Sequence, residues 1–171
     1  MSNSRNIQRD RENKNLVSSV FRILFDSGTH ALIIHRVAYF ICKLGVPVIP
    51  AIIRRINIFF TGADIHPGAV IDKGVYIIHS VGIVIGKGTR VKTGCEIFGG
   101  VTLGGRGGNR ADDGNPVIEK NSVLCAGAII IGNINIGRNV TVAAGSVVLE
   151  SVKDNVMVAG NPAMIKERHA K

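Results

Sequence analysis

Residues 118–148 read IEKNSVLCAGAIIIGNINIGRNVTVAAGSVV, with bulky aliphatics at Ile118, Leu124, Ile130, Ile136, Val142 and Val148, one every six positions. Two residues ahead of the last five stands a small or β-branched side chain: Ser122, Ala128, Ile134, Val140 and Ser146. An α-helix places apolar residues every three or four positions, and a flat strand every two. A strict period of six, rich in Val and Ile and punctuated by Gly and Asn, belongs to a β-solenoid of hexapeptides. Three hexapeptides close one triangular coil, and the aliphatics stack inside it as ladders. The fold class is therefore mainly β.

The same register runs backwards through Leu103, Ile97, Val91 and Ile85, slips by two residues near Val81-Gly82, and resumes at Ile77, Ile71 and Ile65. Such a slip pushes a bulge out of the wall. A larger interruption, GGRGGNRADDGNP over 104–116, fits no hexapeptide and predicts an exposed, protruding loop. The division expected is a disordered leader over 1–15, a helical segment over 16–61, the solenoid over 62–156 and a C-terminal tail over 157–171 packed on the last coil.

The entry segment carries a helical pattern. Val17, Val20, Phe21 and Leu24 share one face, and Ser27-Gly28 reads as a break. Thr29 then reads as the cap of a helix through HALIIHRVAYFICKLG, ended by Gly45 with Pro47 beyond. A third helix is expected over 51–60, with Arg54 and Arg55 in its middle. Two prolines, the two arginines and its short length argue against a bilayer span over 44–60.

Composition agrees with one domain and an appendage: 171 residues, 46% hydrophobic, 21 glycines and only 5% aromatics, which suits a narrow solenoid interior. Residues 1–60 hold nine Lys or Arg against three acids within a net charge of +9. That basic segment reads first as a solvated surface, its helices packed on the solenoid or a neighbouring subunit, and otherwise as a contact for an anionic membrane surface, an acidic polymer or nucleic acid. No nucleic-acid motif or aromatic stacking platform is present, so nucleic acid is not an expected partner. The first fifteen residues lack the apolar core of a signal peptide, and three cysteines make no CxxC. A reducing cytoplasm is the expected compartment.

Chemistry candidates gather at the interruptions. His79 precedes the slip, and Asp64 stands fifteen residues earlier, close to one coil. A carboxylate stacked beside an imidazole fixes its tautomer and stabilises the imidazolium, which suits a general base. From spacing alone, His79 is equally a corner histidine and Asp64 a turn residue.

DIHPGAVI (64–71), HSVGIVIG (79–86), GGVTLGG (99–105) and AAGSVV (143–148) resemble the hexapeptide-repeat acyltransferases, and most closely their serine acetyltransferase branch. The likeness covers roughly residues 29–165. It implies a left-handed parallel β-helix, against the usual right-handed crossover preference. It also implies a homotrimer whose active sites lie between subunits, with acetyl-CoA as co-substrate and no metal. Matched by position, His79 is similar to the family's catalytic base and Asp64 to its carboxylate partner. The same match puts Thr102, Gly104, Gly105, Ala126 and Ala144 along the acetyl-CoA groove, with Gly104 and Gly105 offering N–H donors to an oxyanion. Lys166 would meet a CoA phosphate. Taken singly, the glycines also serve as loop punctuation, the alanines as corner filling and Lys166 as a solvated lysine.

The sequence departs from the family where the acceptor binds. An aspartate that precedes the family's histidine is here Ile78, and an Arg-His pair before the loop proline is here Gly114-Asn115. Unpaired charges on bound serine would cost several kcal/mol. The expected acceptor is therefore a sugar, free or lipid-linked, of exopolysaccharide, capsule or lipopolysaccharide assembly. Arg106, Arg110, Asp112, Asp113 and Asn115 are the candidate carbohydrate contacts. Serine O-acetyltransfer is the alternative, and a non-catalytic solenoid scaffold a remote one. A zinc hydratase on the same solenoid needs three histidine ligands, and only His66 and His79 lie in the repeats.

Overall fold

The computed structural model describes residues 25–46, 48–107 and 114–166. Two helices, α1 (Ser27–Lys43) and α2 (Ile49–Thr61), precede a left-handed parallel β-helix. The leader, the apolar face of Val17 to Leu24 and loop residues 108–113 lie outside the described residues.

Each coil lays down three short strands. The first coil holds β1 (Asp64–Ile65), β2 (Val70–Ile71) and β3 (Tyr76–Ile78), and the second β4 (Val84–Ile85), β5 (Arg90–Val91) and β6 (Glu96–Phe98). The third holds β7 (Thr102–Gly104), β8 (Val117–Ile118) and β9 (Val123–Leu124), and the fourth β10 (Ile129–Ile131), β11 (Asn135–Ile136) and β12 (Thr141–Val142). Then come β13 (Val147–Val148), β14 (Met157–Gly160) and β15 (Ala163–Lys166). Like strands of successive coils pair in parallel to make three walls.

Ile65, Ile85, Leu103, Ile130 and Val148 form one buried ladder, and Ile77, Ile97, Leu124, Val142 and Val158 another. Each such side chain contributes roughly 1.5–3 kcal/mol on burial. The positions two residues ahead are buried too. There Ser122 donates its hydroxyl to Gly137 O at 2.7 Å, so a small polar side chain stays satisfied in an apolar corner. Cys95 fills the same kind of position, fully buried.

Several elements differ from the sequence expectation. The cap of α1 is Asp26, whose carboxylate accepts from the Thr29 N–H at 2.9 Å and the Thr29 hydroxyl at 2.6 Å, so Thr29 lies inside the first turn. Gly28 is no break. It is buried in α1, and a Cβ there would collide with the Ile77 carbonyl oxygen, so glycine lets the helix lie directly on β3. At the other end β14 continues the stack beside β12, and β15 returns antiparallel against it.

The register slip has a definite place. Ile78 pairs with Phe98, while the Gly100 N–H donates to Val81 O just as Gly127 donates to Gly99 O and Gly145 to Ala126 O. The two residues without counterparts in the later coils are therefore His79 and Ser80, ahead of the expected Val81-Gly82. Accordingly Asp64 pairs with Val84, and that coil is two residues longer than the next, in which Val84 pairs with Thr102.

Candidate active site

The inserted pair divides inward and outward. Ser80 is fully buried and donates its hydroxyl to Thr61 O at 2.6 Å. His79 is exposed and sits at φ +60°, a left-handed conformation uncommon outside glycine and taken there mostly by Asn, Asp or His. Among the described residues three other non-glycine residues share it, all asparagines: Asn121, Asn139 and Asn155. A non-glycine residue held in that region, exposed and out of register, is a candidate for function.

Beyond His79 the corner is built of small residues. Gly82, Gly100, Gly127 and Gly145 all take positive φ and stack from coil to coil. Beside them Gly99, Ala126 and Ala144 occupy equivalent places, as the hydrogen-bond ladder Gly127 to Gly99 and Gly145 to Ala126 requires. A Cβ on Gly99 would stand 2.7 Å from His79 O. The result is a column of small residues running from coil to coil beside the histidine turn. Ala126 and Ala144 are both exposed along it.

Asp64 opens β1, half-buried, and its carboxylate is held by α2. Arg54 Nε lies 2.5 Å from Oδ1 and Nη2 lies 2.8 Å from Oδ2, a bidentate pair. That hydrogen bonding raises the Arg54 pKa above its ordinary value. Among the described residues no hydrogen bond or ion pair joins Asp64 to His79; the partner of Asp64 is Arg54. The turn that carries His79 is nonetheless fastened close by, through Ser80 to Thr61 and through the Gly82 N–H to Gly62 O at 3.0 Å.

His66 stands two residues from Asp64. Its Nδ1 accepts from the Gly68 N–H at 2.9 Å, which places the neutral-ring proton on Nε2. Burial lowers its pKa, repulsion from Arg54 and Lys87 adds to the effect, and Asp64 opposes it. No group of three His, Cys, Asp or Glu suited to a metal exists among the described residues.

The remaining candidates are spread over the solenoid. Thr102 and Gly104 belong to β7, where Gly104 pairs with Ile131 and its carbonyl accepts from Gly132 N. Gly105 follows, half-buried. Ile78 is half-buried beside Phe98. Asn115 lies at a different corner, its amide oxygen 3.0 Å from where a Gly86 Cβ would be. Arg106 reaches along the stack and donates to Leu149 O at 2.8 Å. Lys166 is exposed at the end of β15. Arg110, Asp112 and Asp113 fall outside the described residues. Arg54 and Arg55, read from sequence only as an obstacle to membrane insertion, instead line a cavity of about 340 Å³ with Ala51, Ile58 and Asp64.

No family model matches the chain. It is 42% identical over 138 residues to the serine acetyltransferase of Synechococcus elongatus, covering 81% of this chain and 56% of that protein. It is 36% identical over 149 residues to the serine acetyltransferase of Bacillus subtilis, covering 87% of this chain and 68% of that protein. The crystal structure of Brucella abortus serine acetyltransferase in complex with coenzyme A superposes with a TM-score of 0.82 at 38% identity, over 85% of this chain and 58% of that one. The chain thus spans little more than half the length of the first and third of these proteins.

These likenesses overturn the sugar-acceptor expectation. Its physical weakness is visible in the fold. Ile78, Gly114 and Asn115 offer no charge to a zwitterion, but two arginines of α2 stand beside Asp64. Of the described loop candidates for carbohydrate, Arg106 is bonded to Leu149 O and Asn115 lies beside Gly86. By sequence identity over most of its length and by fold, the chain belongs to the serine acetyltransferase family.

Proposed function

We propose that the chain is a serine O-acetyltransferase that moves the acetyl group of acetyl-CoA to the serine hydroxyl. One observation supports this beyond family likeness: an exposed histidine, inserted out of register, sits in a turn hydrogen-bonded to the Thr61–Gly62 end of α2, just ahead of Asp64. In this reading His79 removes the proton from the serine hydroxyl, and the oxygen attacks the thioester carbonyl. The tetrahedral intermediate collapses with loss of the C–S bond, and the imidazolium returns its proton to the departing thiolate. Asp64 keeps lone pairs beyond the two occupied by Arg54, so it can still accept from His79. Gly104 and Gly105 offer N–H donors to the oxyanion. The pantetheine arm lies along Thr102, Ala126 and Ala144, and Lys166 meets a CoA phosphate.

We also assign the finer assembly and location to this proposal. A homotrimer places a second subunit over the His79 corner, where Val81 is 73% exposed and His79 is exposed too. The compartment is cytoplasmic, with peripheral contact to an anionic membrane. Ile33, Val37, Phe40 and Leu44 form an exposed stripe on α1, neither helix carries an acid, and Arg36 and Lys43 flank the stripe. No helix among the described residues is long and apolar enough to cross a membrane.

The direct test incubates the purified chain with acetyl-CoA and L-serine and follows thiol release, with O-acetylserine identified by mass spectrometry. Serine-dependent release supports the reading. Release that needs a sugar, or none with serine, overturns it.

A further inference from the structure

The surroundings of Asp64 hold more positive charge than one carboxylate balances. Arg54 and Arg55 come from α2. Lys87 approaches from β4's exit: a Cβ built on Gly68 would lie 3.2 Å from Lys87 Cγ and 3.3 Å from His66 Nδ1. Both Arg54 and Lys87 repel a proton on His66. Asp64 is bonded to Arg54, whereas Arg55 is exposed and has no hydrogen bond or ion pair among the described residues. An arginine whose planar fork is unoccupied beside a concave surface is suited to bidentate capture of a carboxylate.

We infer that Arg55, backed by the Arg54–Asp64 pair, binds the α-carboxylate of the acceptor amino acid in the cavity floored by Ala51 and Ile58. The inference rests on the serine reading and adds the group that recognises the acceptor's anionic end. It also accounts for the absence of cations at Gly114 and Asn115, because the charge comes from the entry helix and not from the loop. The placement fits the chemistry. Thr61, the last residue of α2, anchors the His79 turn, and Arg55 lies six residues earlier, about 9 Å along the helix axis. The arginine side chain and a bound amino acid together bridge that interval, with the hydroxyl end toward His79. Arg54 has the separate task of holding Asp64 in place, so it is a positioning residue.

Arg55→Gln and Arg55→Lys test this in the full chain, with circular dichroism to verify folding. For Gln the KM for serine rises at least about tenfold, the effect of one lost charge-assisted contact, while the KM for acetyl-CoA stays within about twofold. Lys recovers part of the loss. Ethanolamine, which has the hydroxyl and ammonium but no carboxylate, is affected equally little by either change. An unchanged KM for serine overturns the inference, and so does a rise in the KM for acetyl-CoA, since the arginine would then serve a CoA phosphate. Binding of ¹³C-labelled serine, followed by NMR, separates this from failure of the serine reading. If the wild-type chain transfers nothing to serine but binds it, and Arg55→Gln does not, the carboxylate site stands while the activity falls. Equal binding by both, or none by the wild type, removes the site itself.

Discussion

The Ser80 hydroxyl donates to the Thr61 carbonyl at 2.6 Å, and this bond fastens the turn of His79 to the last residue of α2. Two residues absent from every later coil are thereby used in opposite senses. One is a buried bolt and the other an exposed imidazole. The helix end and the solenoid corner become one rigid unit, so α2 fixes Asp64 through Arg54 and His79 through Ser80.

Ser80→Ala leaves the Thr61 carbonyl without its buried partner. The expected cost is about 1–3 kcal/mol of unfolding free energy by urea titration, together with a fall in kcat as the His79 turn loosens. A variant as stable and as active as the wild type would show that the bolt has no role.

His79→Gly separates function from fold with opposite signs. Acetyl transfer should fall by about two to four orders of magnitude, the range for a lost general base. Stability should hold or rise by about 1 kcal/mol, because glycine relieves the positive φ of +60°. Substantial residual turnover would remove His79 from the mechanism.

Leu103→Ala should destabilise by roughly 2–5 kcal/mol, since Leu103 is fully buried within an unbroken ladder. Met164→Ala, on a side chain 64% exposed, should change stability by less than about 0.5 kcal/mol. Comparable effects in thermal melts would contradict the assignment of inward and outward faces.

His35 sets a pH dependence. Burial pushes its imidazole down to about 4, with Arg36 and His66 adding repulsion and the Ala69 backbone opposing them. The unfolded chain therefore binds the proton first as pH falls from 6.5, and the folded state loses stability down to about pH 4, by roughly 3 kcal/mol in all. His35→Gln should flatten the stability–pH curve in that window. A slope unchanged by the substitution would assign the effect to other groups.

The stripe of α1 should bind vesicles containing anionic lipid and release them at high salt, by co-sedimentation. Phe40→Ser should weaken binding without altering the serine reaction in solution. Indifference to lipid charge, or to Phe40→Ser, would overturn the membrane contact.

The ladders were legible in the sequence because a triangular coil repeats its inward positions by a fixed number of residues, whatever the neighbouring coils do. The helical entry was legible from its periodicity, but not its details. Gly28 read as a break because its tight approach to Ile77 depends on a residue far along the chain. The slip was visible, but its position was not. Only the hydrogen bonds of Val81 and Gly82 show that His79 and Ser80 are the extra pair. Arg54 escaped for a related reason. Its meaning comes from the carboxylate of Asp64 ten residues on, across the junction of helix and strand.

The fourth coil, between β10 and β13, is a plain eighteen-residue storey above the His79–Asp64 end, and of the residues discussed above it carries Ala144. Duplicating it would raise the roof formed by β14 and β15 by one inter-strand spacing, about 4.8 Å, and leave the ground floor untouched. Lys166 would ride upward with that roof, so the reach of a coenzyme stretched from the base to the top limits how many storeys the column can hold.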